Sequence, residues 1–263
     1  MFHPSCSRLP VLASIAALST VAATPATARP RFAATYEAGP GYVLQNDNRY
    51  GDAGTPYEAA DVGQQANLAR LERTTVSMAL GRHRLIALYA PLQLSTRVAL
   101  ASDLRFRDTL FLGGTVVDHL YRFDGLRASY LYALREGDLS VEVGASLQVR
   151  DADVAFTSAD GSRRGVQSDI GLVPALSARL TYTPGRAWAE VQADGSSTFG
   201  LVGDTSGALY DVAVLGGYAF HPALALYGTV RLVGGGAEVP AQAIDNWANF
   251  VSAAIGVRLT LRP

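Results

Sequence analysis

Lysine is missing from this chain: all 22 basic residues are arginine, set against 23 acidic ones for a formal net charge of −1. There is no basic run and no aromatic platform interleaved with one, which excludes nucleic acid as a partner. Cysteine occurs once, at Cys6, before the apolar run Leu9–Ala23 rather than after it, so it does not stand where a lipoprotein is acylated. The rest of the chain therefore has no disulfide, thiol chemistry or cysteine metal site. Beyond Ala23 no apolar run approaches the ~20 residues a membrane-spanning helix needs, so a helical membrane protein is excluded. G-x-S-x-G, H-E-x-x-H and P-loop motifs are absent too, and no cofactor is implied.

What the chain does have is alternation, clearest from Leu139 to Asp151. Leu139, Val141, Val143, Ala145, Leu147 and Val149 fall on one face; Ser140, Glu142, Gly144, Ser146, Gln148 and Arg150 fall on the other. A strict period of two means a strand, because successive side chains of an extended chain point to opposite faces. Globular strands run to about 5–6 residues, whereas a tilted strand crossing a bilayer needs about 9–11. The glutamate and arginine cannot face lipid, and the apolar face carries no charge before Asp151. The pattern is that of a transmembrane barrel strand, apolar outward and polar inward.

Upstream, one arginine, the short apolar run and the small residues Ala26-Thr27-Ala28 predict a secretory signal peptide over residues 1–28. Residues 29–263 show no break in composition, so a single barrel domain is expected there. Phe32–Tyr42 sets Phe32, Ala34, Tyr36 and Ala38 opposite Glu37, and the polar segment Gln45–Asn67 is expected to be an exposed loop. Thr74–Leu80 aligns Val76, Met78 and Leu80. The next strand aligns Ile86, Leu88, Ala90, Leu92 and Leu94 as its lipid face, and L-R-F-R-D-T-L-F in the long connection Arg97–Gly114 is expected to extend that hairpin. From Val116 to Asp124 the faces are mixed, so this half is expected to project beyond the membrane. Leu126, Ala128, Tyr130, Tyr132 and Leu134 then turn apolar. After the central strand comes an exposed loop over Asp153–Val166. The remaining strands lie near Gly171–Tyr182, Ala187–Ala193, Tyr210–Phe220, Leu224–Leu232 and Val251–Leu261, with a last loop around Gly236–Asn246. The short turns G-R-H-R, R-E-G-D, T-P-G-R and F-H-P-A alternate with longer polar loops. That asymmetry is the layout of outer-membrane barrels, with the short turns periplasmic. The count is about ten strands, or eight if two weak ones are miscounted.

The same alternation sends charge inward: Glu37, Glu142, Glu190, Asp194 and Asp211 against Arg127, Arg150, Arg179, Arg231 and Arg258. Unpaired, each would cost several kcal/mol, so a paired network is expected. A barrel of about this size can be filled by side chains, which favours a filled interior over a narrow solute channel. His119, with Asp118 and Asp108, is the only candidate acid–base cluster, and adjacent residues on a strand point apart, so His119 is expected to be a surface histidine. His83 and His221 sit in short turns. N-D-N-R-Y-G-D offers oxygen ligands but lacks the order and terminal glutamate of a calcium loop, so no metal is expected.

The signal peptide, the alternation and the loop asymmetry, with A-P-L-Q-L-S, Y-R-F-D-G-L-R-A-S-Y-L-Y and V-R-D-A-D-V, resemble small bacterial outer-membrane β-barrel proteins. The resemblance covers most of residues 29–263 and carries no activity motif. It implies an all-β, antiparallel up-and-down transmembrane barrel in the outer membrane. Its partners would be outer-membrane lipid, the insertion machinery during biogenesis and an unidentified extracellular ligand, and the protein would be a monomer. A non-enzymatic structural or surface-interaction role is expected first. The alternatives are a narrow channel and a hydrolase using His119.

Overall fold

The computed structural model of the protein describes residues 29–198 and 203–261; the expected signal peptide lies outside them. Ten strands close into one antiparallel barrel in which each pairs with its neighbour in sequence and the first closes on the last. They are β1 (Arg31–Tyr50), β2 (Ala69–Leu80), β3 (His83–Ala99), β6 (Val116–Arg135), β7 (Leu139–Ser158), β8 (Arg164–Tyr182), β9 (Ala187–Ser197), β10 (Ser206–His221), β11 (Leu224–Val239) and β12 (Ile244–Leu261). A separate two-stranded sheet, β4 (Leu104–Phe106) with β5 (Thr109–Phe111), sits in the β3–β6 connection. Among the described residues there is no α-helix.

The period of two places the faces as it should. Val76, Leu126, Tyr130, Leu134, Val143, Leu147, Leu172, Leu176, Val191, Val214, Leu226, Val230, Ile255 and Leu259 are exposed on the outer wall. Glu37, Arg127, Glu142, Asp194, Asp211 and Arg231 are buried. Phe32, Tyr182, Tyr218 and Phe220 are exposed near the short-turn end, where barrels carry an aromatic girdle. Toward the long-loop end the apolar band gives way to Arg122, which pairs with Asp124 (2.6 Å), Asp151 (3.2 Å) and Asp153 on the outer surface. Charge there marks where the wall leaves hydrocarbon.

Several boundaries differ from the sequence expectation, for one physical reason. Past the hydrocarbon the outer face meets water and is no longer apolar. The inner face is polar in β1 and apolar in β7, where Val154 and Phe156 are buried, so the pattern that marks a lipid-facing strand is lost while the ladder goes on. Gln45–Tyr50 belongs to β1, which passes a register shift between Val43 and Gln45 and still pairs with β12 as far as Ile244. Asp153–Ser158 continues β7, and Gly236–Val239 and Ile244–Asn246 are strand. β3 departs more sharply. Its exposed outer face is Leu85 and Tyr89, while Leu92 and Leu94 are buried inside, in the row that includes Ile86, Leu88 and Ala90. Both faces of L-I-A-L-Y-A-P-L are apolar, so periodicity alone could not choose between them. The β4–β5 hairpin does not extend the barrel. It folds inward, and Phe106 and Phe111 are buried against Tyr50, Tyr57, Val154 and Phe156.

Two ladders stop early. β2 pairs β3 only from Thr74–Tyr89 down to Leu80–His83, and β8 pairs β9 only over Leu176–Tyr182 with Ala189–Gly195. Beside the first gap, residues 51–68 pack against the inward faces of β1 and β3: Tyr57 bridges to Asn48, Thr96 Oγ1 donates to the Val62 carbonyl at 2.6 Å, and Ala59, Val62 and Gln64 are buried. This segment was expected to be an exposed loop. Its apolar residues instead pack inside the barrel mouth, Ala59 against Val43, Leu92 and Leu94 and Val62 beside Val117.

Candidate functional site: the barrel interior

The interior has three tiers, each built by inward positions of the alternating strands. At the short-turn end, Trp188, Ala213, Leu215 and Tyr227 form an apolar layer. Trp188 lies so close over Gly217 that a Cβ there would come within 2.6 Å of the ring, and Tyr227 covers Gly256 in the same way, so both positions need glycine. The Arg258 guanidinium stacks 3.9 Å from the Trp188 ring centre and reaches Glu190 at 3.4 Å. Glu142 pairs with Arg84 at 2.8 Å.

Above this lies a charged layer that crosses the lumen. Asp211 on β10 accepts from Arg73 on β2 (2.7 Å), Arg127 on β6 (3.2 Å) and Arg231 on β11 (2.6 Å). Asp194 on β9 holds Arg127 at 3.0 Å and Arg179 at 2.7 Å, and also accepts the Ser177 hydroxyl at 2.5 Å. Glu37 on β1 reaches Arg231 at 3.2 Å and accepts the Tyr227 hydroxyl at 3.1 Å. Gln148 accepts two bonds from Arg127. Strands from all around the barrel thus meet at a few carboxylates, and buried guanidinium groups suit the task because their donors form a rigid fork.

The structure brings Glu37, Arg127, Arg179, Asp194, Asp211 and Arg231 into this layer. It places Glu142, Glu190 and Arg258 below it and Arg150 above, where Arg150 pairs with Asp169. Sequence reasoning missed Arg73, Arg84 and Asp169. Arg73 shares parity with the inward Thr75 and Ser77, so the alternation would have found it if carried past Thr74; it looked like the end of a strand.

The third tier holds a chamber of about 520 Å³. Leu92, Tyr121, Phe123 and Phe250 line one side and Val173 and Leu209 the other, with Arg150, Asp169, Gln148 and Gln167 at its polar edge. Beside it, residues 51–68 dock through a buried polar chain. Tyr50 donates to Asn48 (3.1 Å), Asn48 to Asn46 (2.9 Å) and Asn46 to Gln64 (2.7 Å), and Gln64 Nε2 lies 3.2 Å from His119 Nδ1. N-D-N-R is therefore structural: Asn46 and Asn48 face inward, and Asp47 binds Gln45. Among the described residues no group of three or more His, Cys, Asp or Glu comes together to hold a metal.

His119 is not at the surface. It is buried, with its ring 4.4 Å from that of Phe156, because Val117, His119 and Tyr121 take the inward parity of β6. Asp118 points the other way, where it accepts two exposed hydrogen bonds from Arg97, and Asp108 is exposed in the β4–β5 turn. The acid–base cluster does not assemble. Burial lowers the His119 pKa from 6.5 to about 3. The folded imidazole therefore stays neutral where the released one takes up a proton, and docking is strongest above pH 6.5 and weakens as pH falls toward 3. Acidification over that window should loosen residues 51–68, by at most about 1.4 kcal/mol per pH unit, because Phe156 of β7 goes on covering the ring when they leave. Hydrogen exchange of this segment at pH 7 and pH 4, corrected for intrinsic rates, would show it; His119→Gln should remove the pH dependence.

No family model and no curated protein matches the sequence. Among solved structures, the outer membrane protease OmpT from Escherichia coli matches with a TM-score of 0.53 at 13% identity, covering 88% of this chain and 97% of that one. The chain has the fold of an outer-membrane β-barrel protein. The attachment invasion locus protein Ail of Yersinia pestis, in complex with the heparin analogue sucrose octasulfate, matches with a TM-score of 0.37 at 10% identity over 87% of this chain and 99% of that one. Neisserial surface protein A follows at 0.33 and 13%, over 87% and 96%. At such identities the likeness concerns the fold, and what this outer-membrane barrel does rests on its own residues.

Proposed function

We propose that the protein is a monomeric, non-enzymatic component of a Gram-negative outer membrane, exported on a cleaved signal peptide at residues 1–28. Its short turns are periplasmic and its capped end is extracellular, where it serves a structural or surface-interaction role. The observation that carries this reading is the arginine–carboxylate layer, in which Asp211, Asp194 and Arg127 are almost wholly buried and bound to partners on opposite walls. A pore filled by mutually paired charges leaves no continuous water path, and hydrated ions do not replace such pairs cheaply. Planar-bilayer recording of the purified protein should show no large steady conductance; stable wide openings would establish a solute channel instead. Fractionation should place the protein in the detergent-extractable outer membrane, with unboiled samples migrating differently on gels. Recovery as a freely soluble periplasmic protein would overturn the reading.

A further inference from the structure

The second early-ending ladder has no described segment docked beside it comparable to residues 51–68. From Arg164 to Ala175, β8 pairs β7 alone, because its ladder with β9 begins at Leu176. Pro174, which has no N–H to give a ladder, stands just past that point, where β8 is an edge. The register across β7 sets the depth of this edge. Leu172 lies opposite Val149 and Pro174 opposite Leu147, both on the lipid-facing row, while Ile170 lies opposite Asp151 at the charged rim. The lower part of the gap is therefore within the apolar band. Backbone without a strand partner is tolerated at that depth only against protein or a cavity.

A cavity is what lies there. The chamber is lined by Val173, Ser196 and Leu209, which face inward, and also by Leu172, Pro174, Ser197 and Ala208, which have the outward parity. Pro174 on β8 and Ser197 on β9 stand at the place where the ladder between those two strands ends, so the chamber reaches the gap between them. Leu172 is 66% exposed and Ile170 74%, so the outer lip of the opening is apolar. Among the described residues the charged ones that line it are Arg150 and Asp169, and they pair with each other. A charged ligand would enter an apolar chamber with no opposite charge left to meet it. An uncharged one would meet aromatic and aliphatic walls, with glutamine and asparagine side chains for a polar head. The volume suits a small organic molecule.

We infer that the chamber binds an uncharged, largely apolar small molecule, which exchanges with the adjoining membrane leaflet sideways through the gap between β8 and β9. The inference rests on the reading of the protein as a non-conducting outer-membrane barrel. The test uses the full exported barrel, residues 29–263, which holds no cysteine, in phosphatidylcholine vesicles. 1-Aminoanthracene, uncharged at neutral pH, should show saturable fluorescence enhancement at one site per barrel, above the signal of protein-free vesicles. The anionic 8-anilinonaphthalene-1-sulfonate should bind at least tenfold more weakly. Leu209→Trp and Val173→Trp, each checked for folding by heat-modifiable mobility, should weaken 1-aminoanthracene at least tenfold by filling the chamber. For the route, Val173→Cys should react with pyrene maleimide dissolved in the bilayer at least tenfold faster than Ala213→Cys, which also faces inward but lies in the filled tier. Reaction of Val173→Cys with a water-soluble maleimide only would overturn the lateral route. Absence of saturable binding by a folded, non-conducting barrel would overturn the inference alone, whereas steady conductance would overturn the reading beneath it.

Discussion

Val143→Arg is expected to impair folding into the membrane severely, while its neighbour Glu142→Gln leaves a barrel that assembles but unfolds more easily. Val143 sits on the outer wall, 37% exposed, and Glu142 is buried beside it with Arg84 as its partner at 2.8 Å. Arginine on a lipid-facing position near the midplane costs roughly 2–4 kcal/mol, because its charge has no water and no counter-ion. Glu142→Gln keeps the shape and the hydrogen-bonding oxygen but leaves the Arg84 charge uncompensated. Arg84 is about a third exposed, so water relieves part of that loss and the effect should be the smaller one. Folding yield in liposomes and thermal stability in detergent give the order. If Val143→Arg folds like wild type while Glu142→Gln fails to insert, the faces are reversed.

Asp211→Ala should be the most destabilising change inside the barrel, at about 3–5 kcal/mol. Three guanidinium groups converge on this carboxylate, and no other lumen acid binds as many. Its removal leaves Glu37 and Asp194 to balance Arg73, Arg127, Arg179 and Arg231. Buried positive charges without a partner draw in water, so a small conductance should appear along with the lost stability. The double variant Asp211→Ala/Arg73→Leu should recover part of the loss, since apolar groups replace buried ion pairs at little net cost. Urea unfolding in detergent together with bilayer recording measures both. A single variant as stable and silent as wild type would mean that this layer does not hold the barrel together.

Where one face meets lipid and the other meets charge, the alternation was sufficient. The central strand and those around Leu126, Leu176, Val214 and Ile255 show their orientation in their residues alone, because a register slip of one would place arginine in hydrocarbon. Where that contrast is lost it failed. β3 was inverted because its two rows are equally apolar, and the outer parts of β1, β7, β11 and β12 looked like loops because their outward row is no longer apolar. His119 was misplaced for a related reason. Its burial depends on Phe156 from β7 and Gln64 from residues 51–68, which are distant in sequence.

The chain by itself determined the fold class, the single barrel, the strand count of about ten and the parity of most lumen charges, since each follows from a local period of two and the chemistry of lipid against water. Only the tertiary structure decided which arginine meets which carboxylate, that residues 51–68 pack into the barrel mouth beside β3, and that the β8–β9 ladder stops at Leu176. Those features depend on the lengths of ladders between strands and on how far each connection folds back. They are properties of pairs of distant segments, and no local pattern in either segment encodes them.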